Sequence, residues 1–146
     1  MKPIAFVVFF AALPTVAAAG VTVMDAWARA SILANRPGAV YLTLESDTAD
    51  SLTALATPAA DQVILHGSET DDNGVSRMVH VEVLDLVPDT RVSFSPGEMH
   101  VMLVGLTEKL EEGSTFPLTL SFENAEDITV DVQVLGIAAT GPEDAR

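Results

Sequence analysis

Histidine and methionine are the residues of this chain whose types and spacing best suit metal chemistry. His100 and Met102 are two residues apart. On a β-strand, that spacing directs both side chains to one face. An imidazole nitrogen and a thioether sulfur would then converge on one side of the strand. A His-x-Met pair is a weak signal by itself, so its value depends on further donors elsewhere in the chain.

Met78 and His66 are the further candidate donors. Met78 lies in a predicted strand over residues 75–84, where side chains alternate between two faces. We expect the face with four valines to be the core side: Val75, Val79, Val81 and Val83. Met78 then belongs to the other, more polar face, and His66 follows the apolar run 63–65. Each residue alone is more often a packing or surface group than a ligand, so the prediction depends on the combination.

The available donors favour a soft metal ion. The chain has no cysteine, so two imidazoles and two thioethers would form a neutral donor set. Thioether sulfur favours Cu(I) over Zn(II), Ca(II) or Mg(II), and a blue-copper centre is excluded because it requires a thiolate. A site that combined His66, Met78, His100 and Met102 would therefore suit Cu(I). No Ser-His-Asp arrangement or supported pair of carboxylates stands out, so we do not expect an enzyme.

The N-terminus predicts an exported chain. Lys2 is followed by an apolar run over residues 3–13 and by small residues over 16–20, a pattern typical of a secretory signal peptide over residues 1–19. No apolar stretch is long enough to predict a membrane span. Removing 19 of the 146 residues leaves 127, enough for one domain, predicted over residues 20–137. The small and polar residues 138–146 are predicted to form a flexible tail.

The pattern of the mature chain predicts an all-β, Greek-key β-sandwich. Short alternating runs rich in Val, Thr, Ile and Leu are separated by Gly, Pro, Asp and Asn. We predict nine strands, over residues 21–29, 40–45, 51–57, 62–67, 75–84, 90–94, 101–106, 118–122 and 128–135. Without disulfides, core packing and strand pairing have to stabilise the fold. The formal net charge of −14 makes a nucleic-acid partner improbable.

The sequence resembles the periplasmic copper chaperone family known as PCuAC. The family pattern is a His, a Met after a short loop, and a later His-x-Met, and the matching positions are His66, Met78, His100 and Met102. The likeness extends to residues 25–30, 38–44 and 99–106 and covers almost the whole mature chain. Eleven residues separate His66 from Met78, one more than in the family pattern. We expect the hairpin turn to absorb this extra residue.

The resemblance implies a cupredoxin-like fold and a periplasmic Cu(I) carrier. It implies delivery of copper to the binuclear site in cytochrome c oxidase subunit II, or to a thioredoxin-like assembly factor. Two alternatives stay open: a periplasmic copper buffer, and a metal-independent β-sandwich interaction module. His80 is either a surface histidine or an additional ligand, and core packing is the more plausible use of Met99. The chain also lacks the His- and Met-rich extension of some family members, so we expect no second copper site there.

Overall fold

A computed structural model describes residues 20–145, so the predicted signal peptide lies outside the described residues. The described chain consists of ten strands and a terminal 3-10 turn: β1 (Val21–Arg29), β2 (Gly38–Ser46), β3 (Asp50–Ala56), β4 (Ala60–Thr70), β5 (Ser76–His80), β6 (Leu84–Leu86), β7 (Arg91–Ser93), β8 (His100–Leu106), β9 (Thr115–Phe122), β10 (Ile128–Leu135) and the turn Pro142–Ala145. Over this part of the chain, no helix is long and apolar enough to cross a membrane.

The ten strands form one sheet that curves until its two ends pack against each other. The strand order is β5-β4-β8-β2-β1-β10-β9-β3-β6, and β7 pairs with β2. The β1–β10 pair is parallel, and the other strand pairs are antiparallel. β3, near one end of the order, also contacts β4, near the other end. The sheet therefore curls into two layers, which confirms the predicted β-sandwich.

Alternation along the strands separates the core from the outer face. In β8, Val101 and Leu103 are fully buried, whereas His100 and Met102 are half-buried on the opposite face. Leu118 and Leu120 of β9 are fully buried in the same way. Full burial of each such side chain stabilises the fold by about 1.5–3 kcal/mol. The buried residues of β8 therefore fix the strand whose other face carries two of the predicted donors.

The long strand predicted over residues 75–84 is wrong. This segment forms the two short strands β5 and β6, which pair with β4 and β3 respectively. Val75 and Val83 are 57% and 53% exposed, so the expected valine core face does not form, although Val81 packs against the core. The physical reason is that the chain leaves β4 after Val81, whose N–H still donates to the carbonyl oxygen of Leu65. It then crosses to β3, which ends the alternation of one continuous strand.

The start of the C-terminal segment is packed against the domain. Ala139 is buried in a small cluster with the rings of Trp27 and Tyr41, which contact each other at an interplanar angle of 39°. The Nε of Arg29 donates a hydrogen bond of 2.7 Å to the carbonyl oxygen of Ala139. Within residues 138–146, which were predicted to form a flexible tail, Ala139 is therefore buried, because its small side chain fits against the aromatic pair and its carbonyl oxygen accepts a hydrogen bond.

Candidate metal centre

Strand register brings two of the predicted donors together. β4 lies between β5 and β8 and is antiparallel to both. His66 of β4 lies directly opposite His100 of β8, and directly opposite side chains project from the same face. Their ring centroids are 5.5 Å apart, with an interplanar angle of 89°. The two predicted nitrogen donors therefore form a close edge-to-face pair.

Met102 lies beside this pair. It is two residues beyond His100 on β8 and pairs with Ile64, so it projects from the same face as the histidines. Its position is diagonal to His66, and its side chain is half-buried. A flexible thioether at a diagonal position can reach toward the imidazoles. The predicted His-x-Met arrangement is thus present as a local feature of one regular strand.

Met78 lies on the other side of His66. It pairs with Ser68, so it is also diagonal to His66 and projects from the same face. Its side chain is 46% exposed. Met78 and Met102 therefore flank the histidine pair from two sides, and Met78 is the more exposed of the two. The structure places all four predicted donors on one face, with the histidines in contact and the methionines around them.

A short turn connects β4 and β5, between His66 and Met78. Pairing runs without a register shift from Thr70 opposite Ser76 to His66 opposite His80. In the turn, the Asp71 carboxylate accepts hydrogen bonds from the backbone N–H groups of Asn73 and Val75, at 2.9 and 3.0 Å. The turn is therefore ordered and the ladder beside it is regular. That the turn absorbs the extra residue remains a prediction.

The environment of His66 favours the neutral form of its imidazole, which is the form that can donate to a metal ion. Its Nδ1 is buried and has no hydrogen-bond partner, a condition that is costly for a polar atom. Burial lowers the pKa of His66, and the nearby charges of His100 and His80 lower it further. Metal binding requires a deprotonated imidazole nitrogen. A metal ion would therefore bind the form of His66 that the protein environment already favours.

The backbone orients the imidazole of His100. Its Nδ1 lies 3.0 Å from the carbonyl oxygen of Glu98, a geometry that suits donation by a protonated Nδ1 to that oxygen. This tautomer places the lone pair on Nε2, the nitrogen available to a metal ion. Such a hydrogen bond from the second ring nitrogen is typical of metal-binding histidines.

Methionine supplies the other candidate donors near His66. Across residues 20–145, no three side chains of His, Asp or Glu converge to hold an ion. In this conformation, the further candidate donors beside the two histidines are the thioethers of Met78 and Met102. Met99 instead packs against the core, as expected from its place on the other side of the chain.

Gly105 explains part of the sequence pattern after the His-x-Met motif. Its φ is +69°, and a Cβ at this position would lie 2.6 Å from an Oδ of Asp61. Both the left-handed backbone and the close approach of Asp61 therefore require glycine. The motif thus combines two candidate donors with a structural residue that lets β8 pass beside β4.

Comparison with known proteins identifies the family. Residues 21–134 match the model of the LpqE-like lipoprotein family. The chain belongs to the LpqE-like family. No curated protein sequence matches this LpqE-like chain. Membership agrees with the prediction that the protein is not an enzyme.

Solved structures of PCuAC domains share the fold of this LpqE-like protein. The apo PmoF2 PCuAC domain has a TM-score of 0.68 and 25% identity, covering 85% of this chain and 97% of that domain. The Cu(I)-bound solution structure of DR1885 from Deinococcus radiodurans has a TM-score of 0.56 and 29% identity, covering 86% and 81%. The copper-bound PmoF2 domain, at 24% identity and a TM-score of 0.66, shares the fold. The predicted PCuAC resemblance and cupredoxin-like sandwich are confirmed.

Proposed function

We propose that this LpqE-like protein is a periplasmic metallochaperone that binds Cu(I) through His66, Met78, His100 and Met102. The observation that carries the proposal is the His66–His100 pair, with a buried, unpaired Nδ1 and Met102 beside it. The copper-bound PmoF2 domain and Cu(I)-bound DR1885 support the choice of ion. The family name, which is that of lipoproteins, supports export.

The donor set suits an ion that has to be passed on. Two imidazoles and two thioethers carry no charge, and thioether sulfur selects Cu(I) among the common metal ions. His66 and His100 are half-buried, whereas Met78 is 46% exposed. A partner can therefore replace Met78 first and then the deeper ligands, without separating the ion from a buried anionic group.

The proposed destination is the assembly of the binuclear copper site of cytochrome c oxidase. The partner would be oxidase subunit II or a thioredoxin-like assembly factor, and the support for either is the family resemblance. Deletion of the gene, followed by measurement of oxidase assembly at limiting copper, tests delivery. Impaired assembly that is restored by the wild-type gene, and not by a Met102→Leu gene, supports delivery. Normal assembly in the deletion strain would favour the alternative role of a copper buffer.

A titration against a chromogenic Cu(I) chelator tests the site itself. We expect one tightly bound Cu(I) per chain in the mature protein. Replacing Met102 by Leu retains an apolar side chain but removes the sulfur. Mutation of a residue that only supports a metal ligand typically reduces metal affinity by about 10-fold or more. Loss of a ligand should therefore reduce the Cu(I) affinity by at least that factor. Met99→Leu is the matched control, because Met99 packs in the core. Equal affinities of the Met102→Leu and Met99→Leu variants would contradict the assigned site.

The alternative of a metal-independent interaction module predicts a different thermal response. A ligand that binds only the folded state stabilises it by about 2.7 kcal/mol when its free concentration is 100 times Kd. Cu(I) should therefore raise the melting temperature of the wild-type protein and of Met99→Leu. A melting temperature that does not respond to Cu(I) in the wild type would support the interaction module.

A further inference from the structure

The three histidines of the chain form one row across three strands. His80 of β5 lies directly opposite His66 of β4, and His66 lies directly opposite His100 of β8. These are all the histidines in the sequence. The backbone ladder continues past His80, because Val81 N–H donates to the carbonyl oxygen of Leu65 at 2.9 Å. His80 therefore occupies a regular pairing position and projects from the same face as His66 and His100.

The register places His80 closer to His66 than Met78 is. Side chains directly opposite each other have Cβ atoms about 4.5–5.5 Å apart, whereas diagonal neighbours are about 7–8 Å apart. His80 is the direct neighbour of His66, and Met78 is a diagonal one. The side chains of His80 and Met78 are both exposed. Each can therefore rotate at the protein surface without displacing core residues.

Met78 and His80 offer donor atoms that prefer different oxidation states of copper. Thioether sulfur favours Cu(I), whereas Cu(II) favours nitrogen and oxygen donors in tetragonal geometry. Met78 and His80 are two residues apart on the same face of β5, so one short strand offers a soft donor and a harder donor to the same histidine pair. The three imidazoles do not converge within the described residues, so His80 has to turn toward His66 to take part.

We propose that His80 is an additional copper ligand which, with His66 and His100, binds Cu(II) at the site where Met78 assists in binding Cu(I). This inference rests on the proposed function, because His66 and His100 have to bind copper before His80 can contribute. It concerns binding of the ion in each oxidation state and involves no electron transfer by the protein. The chain thus has alternative donors for the two oxidation states of one cargo ion.

Paired variants test this assignment. Cu(I) and Cu(II) affinities are measured separately for the wild type, His80→Ala and Met78→Leu, and the Cu(II) forms are examined by EPR. We expect the Cu(II) affinity of His80→Ala to be lower than that of the wild type by about 10-fold or more, which is the minimum loss typical of mutating a residue that supports a metal ligand. Its EPR spectrum should also lack the coupling of one nitrogen. Its Cu(I) affinity should be unchanged. Met78→Leu should weaken Cu(I) binding and retain the Cu(II) spectrum.

The controls separate this inference from the proposed function. Ser76→Ala changes another exposed residue on the same face of β5 and should alter neither affinity. An unchanged Cu(II) spectrum in His80→Ala would overturn the role of His80, as would an equal loss of Cu(I) and Cu(II) affinity. After either result for His80→Ala, Cu(I) binding that still depends on Met102 would continue to support the proposed function. Absence of Cu(I) binding by the wild type would instead overturn the proposed function.

Discussion

The imidazole ring of His100 meets that of His66 edge to face, at a centroid distance of 5.5 Å. The contact joins two interior strands, β4 and β8, at directly opposite positions. It also couples the two rings electrostatically, because a positive charge on His100 opposes protonation of His66. The ionisation of His66 in the apoprotein therefore depends on its neighbour.

Removing His100 should raise the pKa of His66. In the wild type, burial lowers that pKa, and the charges on His100 and His80 lower it further. His100→Ala removes one charge and increases the access of water to His66, so both effects favour the protonated ring. NMR titration of the His66 ring protons in the metal-free protein measures the change. A His66 pKa that stays the same or falls in this variant would contradict the electrostatic coupling.

Asp50 should stabilise the fold in a pH-dependent way. Burial by itself raises the pKa of Asp50, but hydrogen bonds from Ser51, Asn124 and Ala125 outweigh it and hold the pKa below its usual value. Because the folded pKa is lower than the unfolded pKa of about 3.9, the stabilisation is fully present above that unfolded value. It is lost as the pH falls through the folded pKa.

Asp50→Asn tests this contribution by chemical denaturation at several pH values. We expect a loss of about 1–3 kcal/mol at neutral pH, because the loss of charge weakens the hydrogen bonds to the buried side chain. The difference from wild type should shrink in acid. Asp127→Asn, at an exposed position, should cost little at any pH. A pH-independent difference for Asp50→Asn would show that the carboxylate charge is not responsible.

Gly105→Ala should destabilise the sandwich by two separable effects. The left-handed backbone costs about 1–2 kcal/mol for a residue with a Cβ, and the Cβ would also meet an Asp61 oxygen at 2.6 Å. Gly74→Ala is the matched control, since Gly74 has a φ of +80° and open space around it. The free energy of unfolding should fall more for Gly105→Ala, and Asp61→Ala should reduce that difference in the double variant. Equal losses at the two glycines would rule out the steric effect.

Truncation before residue 138 should expose Trp27. The sequence has one Trp, so its fluorescence reports on the cluster that includes Tyr41 and Ala139. Removing residues 138–146 should shift the emission to longer wavelength and reduce the stability by about 1–2 kcal/mol through lost apolar burial. Removing residues 143–146 should have a smaller effect. Identical spectra for the longer truncation and the full chain would support the flexible tail predicted from composition.

Local sequence patterns predicted the features that depend on strand alternation. The ranges 21–29 and 128–135 match β1 and β10 at both ends, and the His100-x-Met102 spacing places both donors on one face of a regular strand. The same periodicity failed at residues 75–84. It cannot show that the chain leaves one layer after Val81 and joins the other at Leu84, because that change depends on the partners β4 and β3.

The register between strands was the main property of the candidate site that could not be predicted from the sequence. Nothing local indicates that His66 lies opposite both His80 and His100, since the three residues are separated by a turn and by the crossing to the other layer. The i, i+2 relation of Met78 and His80 is visible in the sequence, but the direct pairing of His80 with His66 is not. Burial of Ala139 depends in the same way on distant aromatic residues.

β5 lies at the end of the strand order. The candidate donors therefore lie on strands of different local stability. His66, His100 and Met102 lie on strands within the sheet, whereas Met78 and His80 lie on a five-residue strand that pairs with β4. Short terminal strands can separate locally at a lower free energy than is needed for global unfolding. Such an opening would remove both β5 donors together. The residence time of a bound ion would then follow the opening rate of one hairpin, which sequence changes in its turn could adjust without altering the ligands.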